Sequence, residues 1–406
     1  MGEYFDDLET RSEDERAASY AACLPAQIRA AQGLSGYAAG LGAVDAGAVT
    51  SVGALAALPV LRKSELGAAQ KAAPPLGGFT TVPATGFAHI FQSPGPIYEP
   101  GQVGHDWWRI GRFLKAVGIG AGDIVQNCFS YHLTPAGMIF ESGARAVGAT
   151  VIPAGTGQTE MQVRAAVDIG ATAYAGTPDY LKVILDKADE IGETLSITRA
   201  AVGGGALFPA LRQAYADRGI LCLQNYATAD LGNVAYESPA MEGLIVDEGV
   251  IVEIVTPGTG IPVEPGEVGE VVVTSLNADY PLIRFATGDL SATLPGISPC
   301  GRTNMRIRGW MGRADQTTKI KGMFVRPEQV AALVARHDDI DRARVIASRD
   351  GDRDVMTVRI ETTSGDRAAF EALVLDILKL KGTVELVAPG ALPRDGKVID
   401  DIRVYE

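Results

Sequence analysis

Several stretches of this sequence combine residue types that handle phosphate, ribose or an activated carbonyl. Ser93-Pro-Gly-Pro-Ile-Tyr-Glu-Pro100 is dense in turn residues between a β run and a helical stretch, and reads either as an anion-binding loop or as a plain surface loop. Gly203-Gly-Gly-Ala-Leu follows a β run directly. Three glycines there let backbone approach a flat ligand closely, and serve a strand-to-helix turn equally well. Tyr226-Ala-Thr-Ala-Asp230 puts a phenol and a carboxylate at the end of an apolar run. In Phe285-Ala-Thr-Gly-Asp289 a carboxylate after a glycine turn can accept both hydroxyls of a ribose, or simply close an Asx turn. Lys397 follows Arg394-Asp-Gly near the end of the sequence, where most lysines are solvated.

The elements that must position these groups follow from periodicity. Helical spacing predicts one helix over 12–33, ended by Gly33, and another over about 105–116. From Asp123 onward β runs at 123–129, 149–153, 172–175 and 199–202 alternate with helical stretches at 136–147, 158–168 and 179–190. That alternation predicts a parallel α/β sheet, whose ligands bind at the carboxyl ends of the strands. Runs at 250–255 and 267–274, joined by a Pro/Gly-rich connection, indicate a β-rich part over about 232–310. Beyond Asp315 a helix opened by Pro327, strands at 343–348 and 355–361, a helix over 366–381 and a strand at 384–387 describe a small α+β unit. The expected organisation is a domain over 1–314 and a second over 315–406.

Composition narrows the function classes. With 47% hydrophobic residues in 406, the chain has ample material for packed cores. Against 36 basic side chains stand 49 acidic ones, a net charge of −13 without a basic patch, which argues against nucleic acid and anionic membrane as partners. Four cysteines, none in a CxxC pair, fit a reducing compartment and make a cysteine zinc site an unlikely economy of ligands. The acidic start lacks a signal-peptide core and no long apolar window follows, so a cytoplasmic protein is expected.

The order of these stretches is similar to that of the adenylate-forming superfamily, and within it resembles the phenylacetate-CoA ligase family over about residues 90–400. The resemblance is carried by Gly148-Ala-Thr-Val-Ile-Pro153 with Gly157-Gln-Thr-Glu160, Thr287-Gly-Asp-Leu290, Cys300-Gly-Arg-Thr303 and Gly312-Arg-Ala-Asp315 with Lys321-Gly322. Val325-Arg-Pro-Glu328 and Pro389-Gly-Ala-Leu-Pro393 leading to Gly396-Lys397 complete it. It implies a large N-terminal domain and a small mobile C-terminal one. It implies a two-step reaction: a carboxylate attacks the α-phosphate of Mg-ATP to give acyl-AMP and pyrophosphate, then the thiol of coenzyme A displaces AMP. By motif position Lys397 is the catalytic lysine, Asp289 binds the ribose hydroxyls, Tyr226 stacks near adenine, Gly203, Gly204 and Gly205 line the adenine slot, and Arg313 reaches ribose or phosphate. Asp315 is the implied hinge and Lys321-Gly322 the implied coenzyme A side. Tyr131 and His132 on one side and Ala154, Gly155 and Thr156 on the other line the implied pocket for an aromatic or arylacetic acid. Asp230 stands where the family carries a glutamate near Mg²⁺, no structural zinc is expected, and a homodimer is the family expectation.

The phosphate loop departs from this pattern. The family uses a Ser/Thr/Gly run ending in Lys-Pro. Here Ser93 and Gly95 persist, but Pro94 and Pro96 each remove a backbone donor, and Glu99 stands in place of a cation. Two alternatives to a coenzyme A ligase therefore stay open: a catalytically reduced relative that binds acyl-CoA, adenylate or carboxylate, and an adenylating enzyme that delivers to an amine or carrier protein.

Overall fold

Short β-branched and alanine-rich runs alternating with amphipathic helices build the expected parallel sheet. In the computed structural model, which describes residues 4–314, 318–350, 353–363, 365–393, 395 and 397–403, strands Thr150–Ile152, Ile124–Asn127, Ala173–Gly176, Arg199–Val202 and Leu221–Thr228 lie side by side in that order, all parallel. The sheet continues antiparallel through Gly232–Tyr236, Leu244–Val246 and Arg306–Ile307. Between the strands run helices Ala136–Ala146, Thr159–Ile169 and Pro178–Ile191. Glycines in the left-handed region at Gly170 and Gly192 stop two of them, since a side chain is strained there. Phe113, Leu114, Phe140 and Ala201 are buried in one core cluster, and Leu181, Leu185, Val202 and Ile220 in another.

The helix expected over 105–116 is shorter, running Gly111–Val117. Asp106 and Arg109 adopt positive φ, and the Asp106 carboxylate accepts from the Gly111 amide at 2.9 Å, so the Trp107-Trp108 pair, packed edge to face, occupies a turn before the helix. The first long helix, Glu13–Gln32, begins on Ser12 with a reciprocal Ser12/Glu15 capping box, an arrangement that stabilises a helix start by about 1 kcal/mol.

The chain divides into two units, the first comprising Met1–Val252, Val273–Phe285 and Leu294–Gly309, the second Glu253–Val272, Ala286–Thr293 and Trp310–Glu406. This differs from a single cut at Asp315, because backbone pairing rather than chain order decides the grouping. Within the second unit Leu290 and Ala314 amides donate to the carbonyls of Gly312 and Gly288, and Met311 returns a bond to Leu290, which ties the 288–290 strand to 311–314. The rest of that unit is an α+β fold. Strand Arg342–Asp350 pairs antiparallel with Arg353–Glu361, and parallel strands Ile399–Asp401 and Thr383–Val387 flank them. Helices Pro327–Ala335 and Arg367–Leu378 bury Val330, Leu333, Phe370 and Val374 in one core with Val345, Val358 and Ile360 of the sheet. No helix among the described residues is long and apolar enough to cross a membrane.

Candidate active site

The carboxyl ends of the parallel strands gather most of the first unit's expected site residues. Ala154, Gly155 and Thr156 follow Thr150–Ile152, Tyr131 and His132 follow Ile124–Asn127, Gly203, Gly204 and Gly205 follow Arg199–Val202, and Tyr226 and Asp230 end the Leu221–Thr228 strand. Asn127, at the end of its strand, organises the pocket side. Its Nδ2 donates to the Tyr131 hydroxyl and to the Gly137 carbonyl, both at 2.8 Å, and its own carbonyl accepts from the Gly155 amide at 3.0 Å. Burial pushes the Tyr131 phenol up, so it stays a neutral hydroxyl. Gln162, which sequence reasoning did not single out, lies buried beneath the 154–157 loop and donates to the carbonyls of Gly155 at 3.0 Å and Gly157 at 2.6 Å. His132 is exposed on its loop, its amide donating to Ser130 Oγ at 3.1 Å.

The glycine run is shaped by its neighbours. A Cβ on Gly203 would lie 2.3 Å from Asn225 Oδ1, a buried oxygen with no hydrogen-bond partner among the described residues. Gly204 takes a positive φ, and a Cβ on Gly205 would press Pro178 at 3.3 Å. The close backbone approach expected for an adenine slot is thus already used in part by the protein's own Asn225.

The segment read either as an anion-binding loop or as a plain surface loop is mostly strand. His89–Ser93 and Ile97–Gly101 form a hairpin in which Ser93 faces Ile97 and Phe91 faces Glu99, leaving Pro94-Gly95-Pro96 as the turn. Only Gly95 in that turn carries a backbone N–H. Glu99 is buried, at 1% exposure, accepts a hydrogen bond from the Ser93 hydroxyl, and leaves Oε2 unpartnered among the described residues. Burial first, then the charge of Asp230, pushes its carboxyl up to about 8, against the pull of Ser93 and Lys63. Asp230 is buried too, and its Oδ2 accepts from Lys63 Nζ at 2.6 Å. Lys63 carries no motif signal. It opens helix Lys63–Ala72, and further along that helix the Gln70 amide clamps the Tyr98 backbone of the hairpin through bonds of 2.7 and 2.9 Å. That clamp brings Lys63 and Glu99 into one neighbourhood, a proximity no linear pattern encodes. Asp230 was expected beside Mg²⁺; its side chain here holds an ammonium.

The second unit brings together Asp289 and Arg313. Their backbones form a β-bridge, and Asp289 Oδ1 accepts from Arg313 Nη1 at 2.8 Å and from Trp310 Nε1 at 3.1 Å. Gly288 takes φ +74°, and a Cβ there would meet Arg313 Nη2 at 2.8 Å, so a glycine precedes the carboxylate for steric reasons. Trp310, 59% exposed, is a site neighbour that the sequence reading passed over. Lys321 and Gly322 form the positive-φ turn of a hairpin, Thr318–Ile320 against Met323–Val325, and the Lys321 amide donates to Asp354 at 2.9 Å. Lys397 is half exposed and ion-paired with Asp400 at 3.0 Å. Asp315, the expected hinge, lies outside the described residues.

No family model matches the chain. It is 31% identical over 301 residues to a phenylacetate-coenzyme A ligase of Escherichia coli, covering 69% of this chain and 68% of that protein. Relatives bearing the same name from Aromatoleum evansii and Thermus thermophilus are 30% and 29% identical, each over 70% of this chain and 68% of theirs. Among solved structures, a 2-hydroxyisobutyryl-CoA ligase in complex with an acyl-AMP and coenzyme A superposes with a TM-score of 0.71 at 22% identity, covering 95% of this chain and 91% of that one. At that identity the likeness establishes the fold.

Proposed function

The chain belongs to the phenylacetate-coenzyme A ligase family, and from that premise we propose that it is an AMP-forming acid–thiol ligase acting on an aromatic or arylacetic acid. Mg-ATP and coenzyme A enter as substrates. In the first half-reaction a carboxylate oxygen attacks the α-phosphorus, a new P–O bond forms, and the bond to pyrophosphate breaks. In the second, the coenzyme A sulfur attacks the acyl carbon, AMP leaves with the bridging oxygen, and the thiol proton goes to solvent.

The observation that carries this reading is the 31% identity to a named ligase, and the pairing of Asp289 with Arg313 supports it. Asp289, Arg313 and Lys397 each have a role the chemistry requires. Asp289, oriented by Arg313 and Trp310, presents a carboxylate to ribose hydroxyls. Arg313, more than half exposed, has capacity left for an anion. Lys397 supplies a mobile cation where negative charge spreads over the pentavalent phosphorus, and its solvent-facing pair with Asp400 costs little to exchange. Asp315 serves as the hinge that lets Lys397 and Lys321-Gly322 act in successive half-reactions. Tyr131 and the 154–156 loop bound the acyl pocket, with His132 at its edge. Gly203 to Gly205 and Tyr226 flank adenine.

A second reading is favoured by one feature, the Pro94-Gly95-Pro96 turn, which offers a phosphate a single amide. It makes the chain a binder of acyl-CoA or adenylate with weak turnover. Incubation with Mg-ATP, coenzyme A and a panel of aryl and arylacetic acids, followed by mass detection of products, separates the two. The ligase reading predicts acid-dependent AMP and acyl-CoA in equal amounts, and background levels of both with every acid would leave the binder.

A further inference from the structure

Two buried carboxyl groups in the first unit each leave an oxygen without a hydrogen-bond partner among the described residues. The Asp230 side chain is closed to solvent, with Oδ2 on Lys63 and Oδ1 unpartnered among the described residues. Glu99 is within electrostatic reach of Asp230 and Lys63, and its Oε2 likewise lacks a partner. The fully buried Tyr280 lies within reach of both carboxylates and stays a neutral phenol. Two carboxylates and the Ser93 hydroxyl are the donor types of a hard-cation site. A resident divalent ion does not fit Asp230 as arranged, because an ammonium stands 2.6 Å from one of its oxygens and a second cation beside it is repelled.

The position of Lys63 strengthens the point. It is the first residue of helix Lys63–Ala72, an end whose dipole mildly disfavours a cation, and the Asp230 carboxylate offsets that. Its side chain is one-third exposed, so the ammonium keeps part of its hydration, whereas a metal ion would have to shed water to reach the same carboxylates. We infer that Lys63 is a built-in counter-cation standing in place of a resident divalent ion at Asp230, and that removing its charge lets Asp230 take a divalent cation. The inference rests on the ligase reading only for its consequence there: Mg²⁺ arrives with ATP and takes no inner-sphere ligand from Asp230.

Calorimetric titration of Mn²⁺ into the nucleotide-free protein tests this without any turnover. Lys63→Met is expected to bind Mn²⁺ at least roughly tenfold tighter than the native chain, Lys63→Arg to behave as native, and Lys63→Met with Asp230→Asn to lose the gained site. Circular dichroism checks that each variant is folded, and Lys63→Gln replaces the methionine variant if it is not. Native binding as tight as that of Lys63→Met and abolished by Asp230→Asn would overturn the proposal, as would no gain in either uncharged variant. Failure of the ligase reading appears elsewhere, as absent acyl-CoA formation, and leaves the metal titration unaltered.

Discussion

The two units hold their acidic site residues in opposite ways. In the second, Asp289 is met by Arg313 and Trp310 and sits beside an exposed guanidinium, and Lys397 reaches into solvent with only a surface partner. In the first, Glu99 and Asp230 are both buried, Lys63 pairs with Asp230, and each acid leaves one oxygen without a hydrogen bond among the described residues. The contrast separates two tasks. Groups that must meet a charged, transient species are kept hydrogen-bonded or solvated: Asp289 is buried but satisfied by Arg313 and Trp310, and Lys397 is half exposed. Groups that shape a fixed wall are buried at an electrostatic cost, which the fold tolerates because its parallel sheet and clamped hairpin over-determine their positions.

Lys397→Ala sharpens the comparison most. Removing a cation that acts at the transition state is expected to lower kcat for acyl-AMP formation by about 10²–10³-fold. The melting temperature should be unchanged, since only an exposed ion pair is lost. A large fall in melting temperature with unaltered turnover would reverse the assignment. Asp289→Ala comes next. It frees Arg313 and the Trp310 indole from their carboxylate and is expected to raise KM for ATP by about 10–100-fold. Equal KM values in steady-state kinetics would remove Asp289 from the nucleotide site.

The smallest effect probes the buried wall. Because the Glu99 carboxyl is raised in the folded chain to about 8 from an ordinary 4.5, the stability it allows is fully present below about 4.5 and is lost as pH rises toward 8. Glu99→Gln keeps the shape and removes the charge. Its melting temperature is expected to match the native value near pH 5 and exceed it increasingly up to pH 8.5, where the difference corresponds to about 1–3 kcal/mol. Parallel melting curves for the two proteins across that range would show that Glu99 is not buried as described.

Much of this architecture was legible in the sequence because its cause is local. The run Val250–Val255 is a strand with those bounds, and the helices after Pro178 and Pro327 start where proline fits the first turn. Motif order singles out Asp289 and Arg313 separately, and their pairing follows from a backbone bridge that the sequence does not show. What escaped has causes that periodicity does not register. Ile97–Gly101 looked like loop because Pro and Gly surround it, yet pairing with His89–Ser93 and the Gln70 clamp make it a strand. Lys63 escaped because its partner lies 167 positions away, and Gln162 because an amide serving loop carbonyls has no spacing rule. The turn at Trp107-Trp108 depended on an Asp106 bond that helical periodicity does not register.

Acid-dependent exchange of labelled pyrophosphate into ATP tests the central claim most directly, because it isolates acyl-AMP formation from the acceptor. The account predicts exchange with at least one aryl or arylacetic acid, dependent on Mg-ATP and lost in Lys397→Ala. Absence of exchange with every acid in the panel, from a folded protein, would contradict it.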